Sequence, residues 1–210
     1  MPRAKQRTPR LREQLVEAAL ATLRADGVEG FTTRRVAAGA DTSVPAVYEL
    51  FGDKSGLVRE VFYAGFRELG DRFAALPATA DPRADLAAAL HAFRTFAAEN
   101  QALAAVMFAR PFTEFEPGPE ELAAGASTRE HLVGIARRAV DAGLLDGDPV
   151  DLAHVLLAVA QGLAEQERGG WLGSTAESRD RRWALALRTV LARPGCQPPD
   201  VAPGPSVVDN

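Results

Sequence analysis

Cysteine is nearly absent: the 210 residues contain one, Cys196, set in a proline-rich tail. A single thiol excludes an internal disulfide, and such usage fits a reducing, cytoplasmic setting. Runs of Val, Ile, Thr and Tyr are missing while alanine is abundant, which disfavours sheet and favours helix. No stretch approaches the roughly 18 uninterrupted apolar residues of a membrane span, so no membrane partner is expected. The opening MPRAKQRTPR has charge but no apolar segment behind it, so it does not read as a secretory signal. Histidine is scarce too. His91, His131 and His154 stand on separate segments with no carboxylate or second His at i+3 or i+4. They read as ordinary histidines, and no metal is expected. No Ser-His-Asp set, phosphate-cradling glycine loop or redox cysteine pair appears, so neither an enzyme nor a cofactor is expected.

What is present is an all-α pattern with a lopsided charge. Hydrophobic residues make up 47% and charged residues 25%, enough to bury a core and stay soluble. Net charge is −4, which alone argues against nucleic acid. Its distribution argues the other way. Residues 1–59 hold ten Arg or Lys against seven Asp or Glu, and residues 60–210 hold fourteen against twenty-one. Arg3, Lys5, Arg7, Arg10 and Arg12 precede any acid. This fits a basic contact module on an acidic body, and it also fits a chance excess on a solubilising surface.

The apolar period predicts a first helix over Pro9–Asp26, carried by Leu11, Leu15, Ala18, Ala19 and Leu23, with Gly27 as its stop. Thr32 and Thr33 can cap a short second helix through Val36, Ala37 and Ala40. A third covers Val44–Leu50, with Gly52-Asp53 ending it. A long fourth runs over Lys54–Leu76. After the break PATADP (77–82), five more helices are expected: Pro82–Asn100, Gln101–Phe108, Ser127–Ala142, Pro149–Arg168 and Ser178–Leu191. Residues 111–121 read as a polar, proline-broken loop, and residues 194–210 as a disordered tail.

Two short helices joined by a tight turn make a helix-turn-helix candidate. Val47 and Phe51, four apart, can anchor the second one and leave Pro45, Ala46, Tyr48 and Glu49 outward. Such a helix fits the major groove, about 12 Å wide. The stretch FTTRRVAAGADTSVPAVYELFGDKSGL resembles the DNA-binding domain of the TetR family of bacterial repressors. The resemblance rests on Thr32-Thr33, Val36-Ala37, the turn Ala40–Ser43, Tyr48, Phe51, Asp53-Lys54 and Leu57, and it covers residues 9–57. Asp41 stands where family turns usually carry Gly, and Leu50 where an aromatic or His is common. The later helix VLLAVAQGLAEQE is similar to the WHG-type C-terminal class, with Gln161-Gly162 in place of His-Gly.

The resemblance implies an architecture and roles. Residues 9–57 would be the DNA-binding domain, with its motif at about 32–51. Residues 58–193 would form a helical domain for ligand binding and dimerisation. The partner would be a double-stranded DNA operator. Tyr48 and Lys54 would meet phosphates. Thr32, Thr33 and the amide end of the second helix would face the DNA backbone, beside Arg35. Arg34 would reach a guanine edge, while Ser43, Val44, Pro45 and Ala46 face the groove and Glu49 accepts from cytosine. A core aromatic is the lesser alternative for Tyr48, and a solvated helix start fits Arg34 and Arg35 about as well as contact does.

Bulky side chains crowd residues 93–115. Phe93, Phe96, Met107, Phe108, Phe112 and Phe115 fit ordinary core or, with Val155, a cavity for a mostly apolar effector whose mouth is the 111–121 loop. Leu152, Val155, Leu156, Val159 and Leu163, and then Trp183, Leu187 and Leu191, form apolar sides suited to a homodimer or to packing within one subunit. The functional expectation is a dimeric, ligand-responsive regulator, a repressor of a palindromic operator. The rival is a helical small-molecule-binding or interaction protein that does not read DNA.

Overall fold

The structure, a computed structural model, describes residues 9–192. The basic residues Arg3, Lys5 and Arg7, Cys196 and the 194–210 tail lie outside the described residues. Among the described residues nine α-helices follow one another and no strand occurs: α1 Pro9–Gly30, α2 Thr33–Gly39, α3 Val44–Phe51, α4 Lys54–Ala74, α5 Pro82–Glu99, α6 Gln101–Phe108, α7 Pro119–Asp141, α8 Pro149–Arg168 and α9 Ala176–Val190. No described helix is long and apolar enough to cross a membrane.

Two boundaries differ from expectation for local reasons. Gly27 is a kink rather than a stop: it takes φ 68° and ψ −170°, and a last turn continues to Gly30. Helix α7 starts at Pro119, eight residues before the expected Ser127. Pro119 suits a first turn, and Glu121 reaches back to accept from the Gly118 N–H at 2.8 Å. The loop expected over 111–121 is therefore shorter.

Helices α1, α2 and α3 form a small bundle around Leu15, Leu23, Phe31, Val36 and Val47, all buried. The long α4 closes that bundle with Leu57 and Val61 and carries on into the body with Phe62, Leu69 and Phe73. It packs on α1 and α3 at one end and on α5, α6 and α7 along its length. Buried groups from both parts belong to one continuous core. The small bundle is thus mounted on the body, with α1 resting on α6. Arg24 of α1 donates to Asn100 Oδ1 at 3.3 Å, and Asn100 donates to Glu68 of α4 at 3.1 Å.

Candidate nucleic-acid interface

The sequence of α2 and its turn explains how α3 is presented. The Thr32 hydroxyl caps α2 by accepting from the Arg35 N–H. After Gly39 the chain reverses through Ala40 and Asp41. The Asp41 N–H donates to Ala38 O at 3.1 Å and the Thr42 N–H to Ala37 O at 2.9 Å. Asp41 sits at φ 49°, the left-handed position that favours glycine and tolerates Asp. The backbone therefore keeps the geometry a glycine would give.

Helix α3 is anchored from beneath and open above. Val47 and Phe51 are buried and Leu50 packs partly against the core. Pro45, Tyr48 and Glu49 are exposed, Tyr48 by 45%, so Tyr48 is a surface aromatic rather than a core one. Val44 and Ala46 are half-buried flanks. Ser43 holds the N-cap position, yet its hydroxyl makes no capping bond. The corner into α4 is tight. Asp53 caps it by accepting from the Gly56 N–H at 2.8 Å. A Cβ on Gly56 would lie 1.9 Å from Phe51 O, so the corner requires glycine there. Arg12 of α1 donates to Leu50 O at 2.8 Å, pairs with Glu60, and lies over the Phe51 ring. This pin escaped the sequence reading, which counted Arg12 only as basic charge.

The other cations have varied surroundings. Arg34 is exposed and makes no ion pair among the described residues. Arg35 pairs with Asp26 at 2.7 Å. Thr33 is half-buried at the start of α2. Lys54, first residue of α4, is held by Glu114 at 2.6 Å and lies over Phe112. The Lys54 hydrogen bond is the main reason the Glu114 carboxyl sits below its usual range.

A cavity of about 630 Å³ opens between α5, α6 and α8. Phe93 and Phe108 line it with Ala97, Ala104 and Ala158, while Gln101, Gln161 and Arg168 supply polar groups. The other residues expected at a ligand site lie elsewhere. Phe96 is buried under Arg72. Met107 packs against α4, where a Cβ on Gly65 would meet its sulfur at 2.5 Å. Phe112 and Phe115 are buried against Phe31 and Phe62, so they seal the core rather than form a mouth. Val155 points outward, 55% exposed.

The cavity rim is fixed by charge. Glu167 accepts from Arg94 at 2.8 and 2.7 Å and from the Trp183 indole at 2.7 Å. Arg94 above all, against the opposing effect of burial, holds the Glu167 carboxyl below its usual range. These residues were missed because the partners are far apart in sequence and carry no local signal. A second cavity of about 430 Å³ lies against Leu23, Arg24 and Val28 of α1, and it shares Ala98, Gln101, Ala105 and Arg168 with the first. The α5–α6 corner is therefore a common wall.

Two short helices with an anchored, outward-facing second member, set on a larger helical body, define a helix-turn-helix regulator. The comparisons give the family. The family model for the N-terminal domain of bacterial regulatory proteins of the tetR family matches residues 15–61. The model for the tetracyclin repressor-like C-terminal domain matches residues 86–190. The chain belongs to the TetR family and is a DNA-binding transcriptional regulator. Among solved structures, a Rhodococcus sp. RHA1 protein of unknown function is 28% identical, with TM-score 0.73 over 91% of this chain and 97% of that one. The TetR family regulator PfmR from Thermus thermophilus is 18% identical, with TM-score 0.63 over 85% and 97%. A TetR variant from Acinetobacter baumannii AYE, solved with minocycline, is 20% identical, with TM-score 0.61 over 84% and 92%. The last two show the fold alone. No curated protein matches significantly by sequence.

Proposed function

We propose that the protein is a ligand-responsive repressor that binds an inverted-repeat operator as a dimer. The observation that carries the DNA reading is α3: a helix anchored by Val47 and Phe51 with Pro45, Tyr48 and Glu49 left at the surface. Residues 9–57 act as the reading module and 58–193 as the sensing and pairing body. Tyr48 gives its hydroxyl, and Lys54 its charge, to phosphates. Thr33 and the amide end of α2, flanked by Thr32 and Arg35, face the DNA backbone. Arg34 takes a guanine by a bidentate pair, and Ser43, Val44, Pro45, Ala46 and Glu49 face the groove. Val44, Pro45 and Ala46 have no side-chain donor, so they read thymine methyls and groove shape.

The effector is a mostly apolar compound seated in the α5–α6–α8 cavity, against the packed pair Phe93 and Phe108. The Acinetobacter protein of similar fold was solved with minocycline, which supports the small-molecule reading. An occupant against Ala98, Gln101 and Ala105 bears on the wall that also contacts α1. Ligand thereby favours a head spacing that does not fit DNA, a population shift. Pairing uses the outward sides of α8 and α9, because Val155 and Leu185 are exposed there; Ala158 and Gly162, small enough for close approach, lie where this side also lines the cavity. The test is selection of bound fragments from random and genomic DNA by the purified protein. Inverted repeats with half-sites about 34 to 36 Å apart, or a multiple, support the reading. Recovery of no common sequence refutes it.

A further inference from the structure

The loop between α6 and α7 reaches back to the reading module. The Phe112 ring packs on Phe31, centroids 5.3 Å apart, just before the Thr32 cap of α2. Phe115 is buried against Phe62 of α4, centroids 5.6 Å apart. Glu114 sits between these two anchors. Its Oε1 lies 2.6 Å from Lys54 Nζ, and that ammonium lies 4.7 Å from the Phe112 ring centroid. Lys54 opens α4, where unpaired amides and the helix dipole already favour an anion. The cation that would clamp a DNA phosphate is therefore occupied by a carboxylate of the body.

We propose that Glu114 is a built-in competitor for the DNA phosphate at Lys54, so that the α6–α7 loop sets the affinity of the reading module for any duplex. The proposal rests on Lys54 being a phosphate contact. A phosphate that comes to the same ammonium is set beside a carboxylate of equal sign, and the Phe112 and Phe115 anchors keep that carboxylate from drifting away. The near end of the loop touches the effector cavity. Phe108 and Ala109 line the cavity, and Arg110 follows in left-handed backbone at φ 50°. An occupant that displaces the end of α6 acts on the residues that position Glu114.

The test is a double-mutant cycle on the full-length protein, with a fluorescein-labelled mixed-sequence duplex followed by anisotropy across a salt series. Phosphate contacts are sequence-independent, so no operator is needed. Lys54→Ala is expected to weaken binding and to reduce the steepness of the log–log salt dependence by about 0.9. Glu114→Gln is expected to tighten binding about 1.5- to fivefold, the range of an exposed ion pair. In the Lys54→Ala background, Glu114→Gln should give no comparable gain. Glu116→Gln, a nearby exposed charge, should change affinity less than Glu114→Gln. A Glu114→Gln affinity equal to wild type, while Lys54→Ala still weakens binding, overturns the competition alone. A Glu114→Gln gain that persists undiminished without Lys54 also overturns it, because the carboxylate then acts only as general negative charge. No effect of Lys54→Ala on affinity or salt slope overturns the phosphate assignment itself, and the proposal with it.

Discussion

Four glutamate substitutions on α8 and α9 separate folding from pairing. Leu156 is 2% exposed and Leu187 5%, both against the subunit's own core. Val155 is 55% exposed and Leu185 57%. Replacing Leu156 or Leu187 by Glu removes about 2 kcal/mol of apolar burial. It also buries a carboxyl with no partner, which costs several kcal/mol more. The total is comparable with the roughly 5–15 kcal/mol that holds a typical domain, so these two variants should unfold. Val155→Glu and Leu185→Glu change surface positions of the subunit and should alter its stability by about 0.5 kcal/mol or less. In a two-fold dimer each occurs twice. Two carboxylates at about 2–3 kcal/mol each would weaken association about 10³- to 10⁴-fold. Sedimentation and circular-dichroism melting read the two effects separately. Folded monomers from Val155→Glu and Leu185→Glu, beside unfolded Leu156→Glu and Leu187→Glu, are expected. If the exposed-site variants remain dimers, or the wild type is a monomer at micromolar concentration, the pairing surface is wrong.

Three more outcomes follow from named contacts. Gly56→Ala should destabilise by about 2–3 kcal/mol, because its Cβ meets the Phe51 carbonyl at 1.9 Å and backbone cannot yield cheaply; an unchanged urea midpoint refutes this. Asp85 is buried and accepts from the Thr79 hydroxyl at 2.7 Å and from Arg138. The Thr79 hydrogen bond chiefly, against the effect of burial, depresses its carboxyl. A depressed carboxyl contributes stability that is full above its unfolded value, about 3.9, and lost as pH falls through the folded value. Asp85→Asn should therefore flatten the fall in the urea midpoint below about pH 4, and an unchanged acid profile refutes the assignment. In the operator, thymine-to-uracil replacement under Val44 or Ala46 should cost roughly 1 kcal/mol per critical position. Tolerance of uracil throughout, with Arg34→Ala leaving base preference unchanged, refutes the reading face.

Local pattern carried the helices and the motif. Val47 and Phe51 are one helical turn apart, so their spacing assigned the anchored side of α3, while a core place for Tyr48 stayed open until its 45% exposure excluded it. Capping and turn residues placed most boundaries within a residue or two. The exceptions were the end of α1, which runs past the Gly27 kink to Gly30, and the start of α7, where Pro119 and Glu121 are loop-type residues that cap the helix instead. Periodicity also showed that α8 and α9 have apolar sides. It could not say what covers them, because Leu156 facing its own core and Leu156 facing a partner give the same pattern. The same limit applies to the expected cavity mouth. Phe112 and Phe115 are apolar whether they line a cavity or seal Phe31 and Phe62. Long-range ion pairs left no trace at all: nothing in the neighbourhood of Lys54 names Glu114, and nothing near Arg94 names Glu167. The sequence by itself determined the all-helical plan, the reading helix and the family, since these rest on contacts between residues a turn or two apart. Only the tertiary structure decided which apolar sides remain open and which cations are already occupied, since burial and pairing depend on what the fold brings alongside from far along the chain.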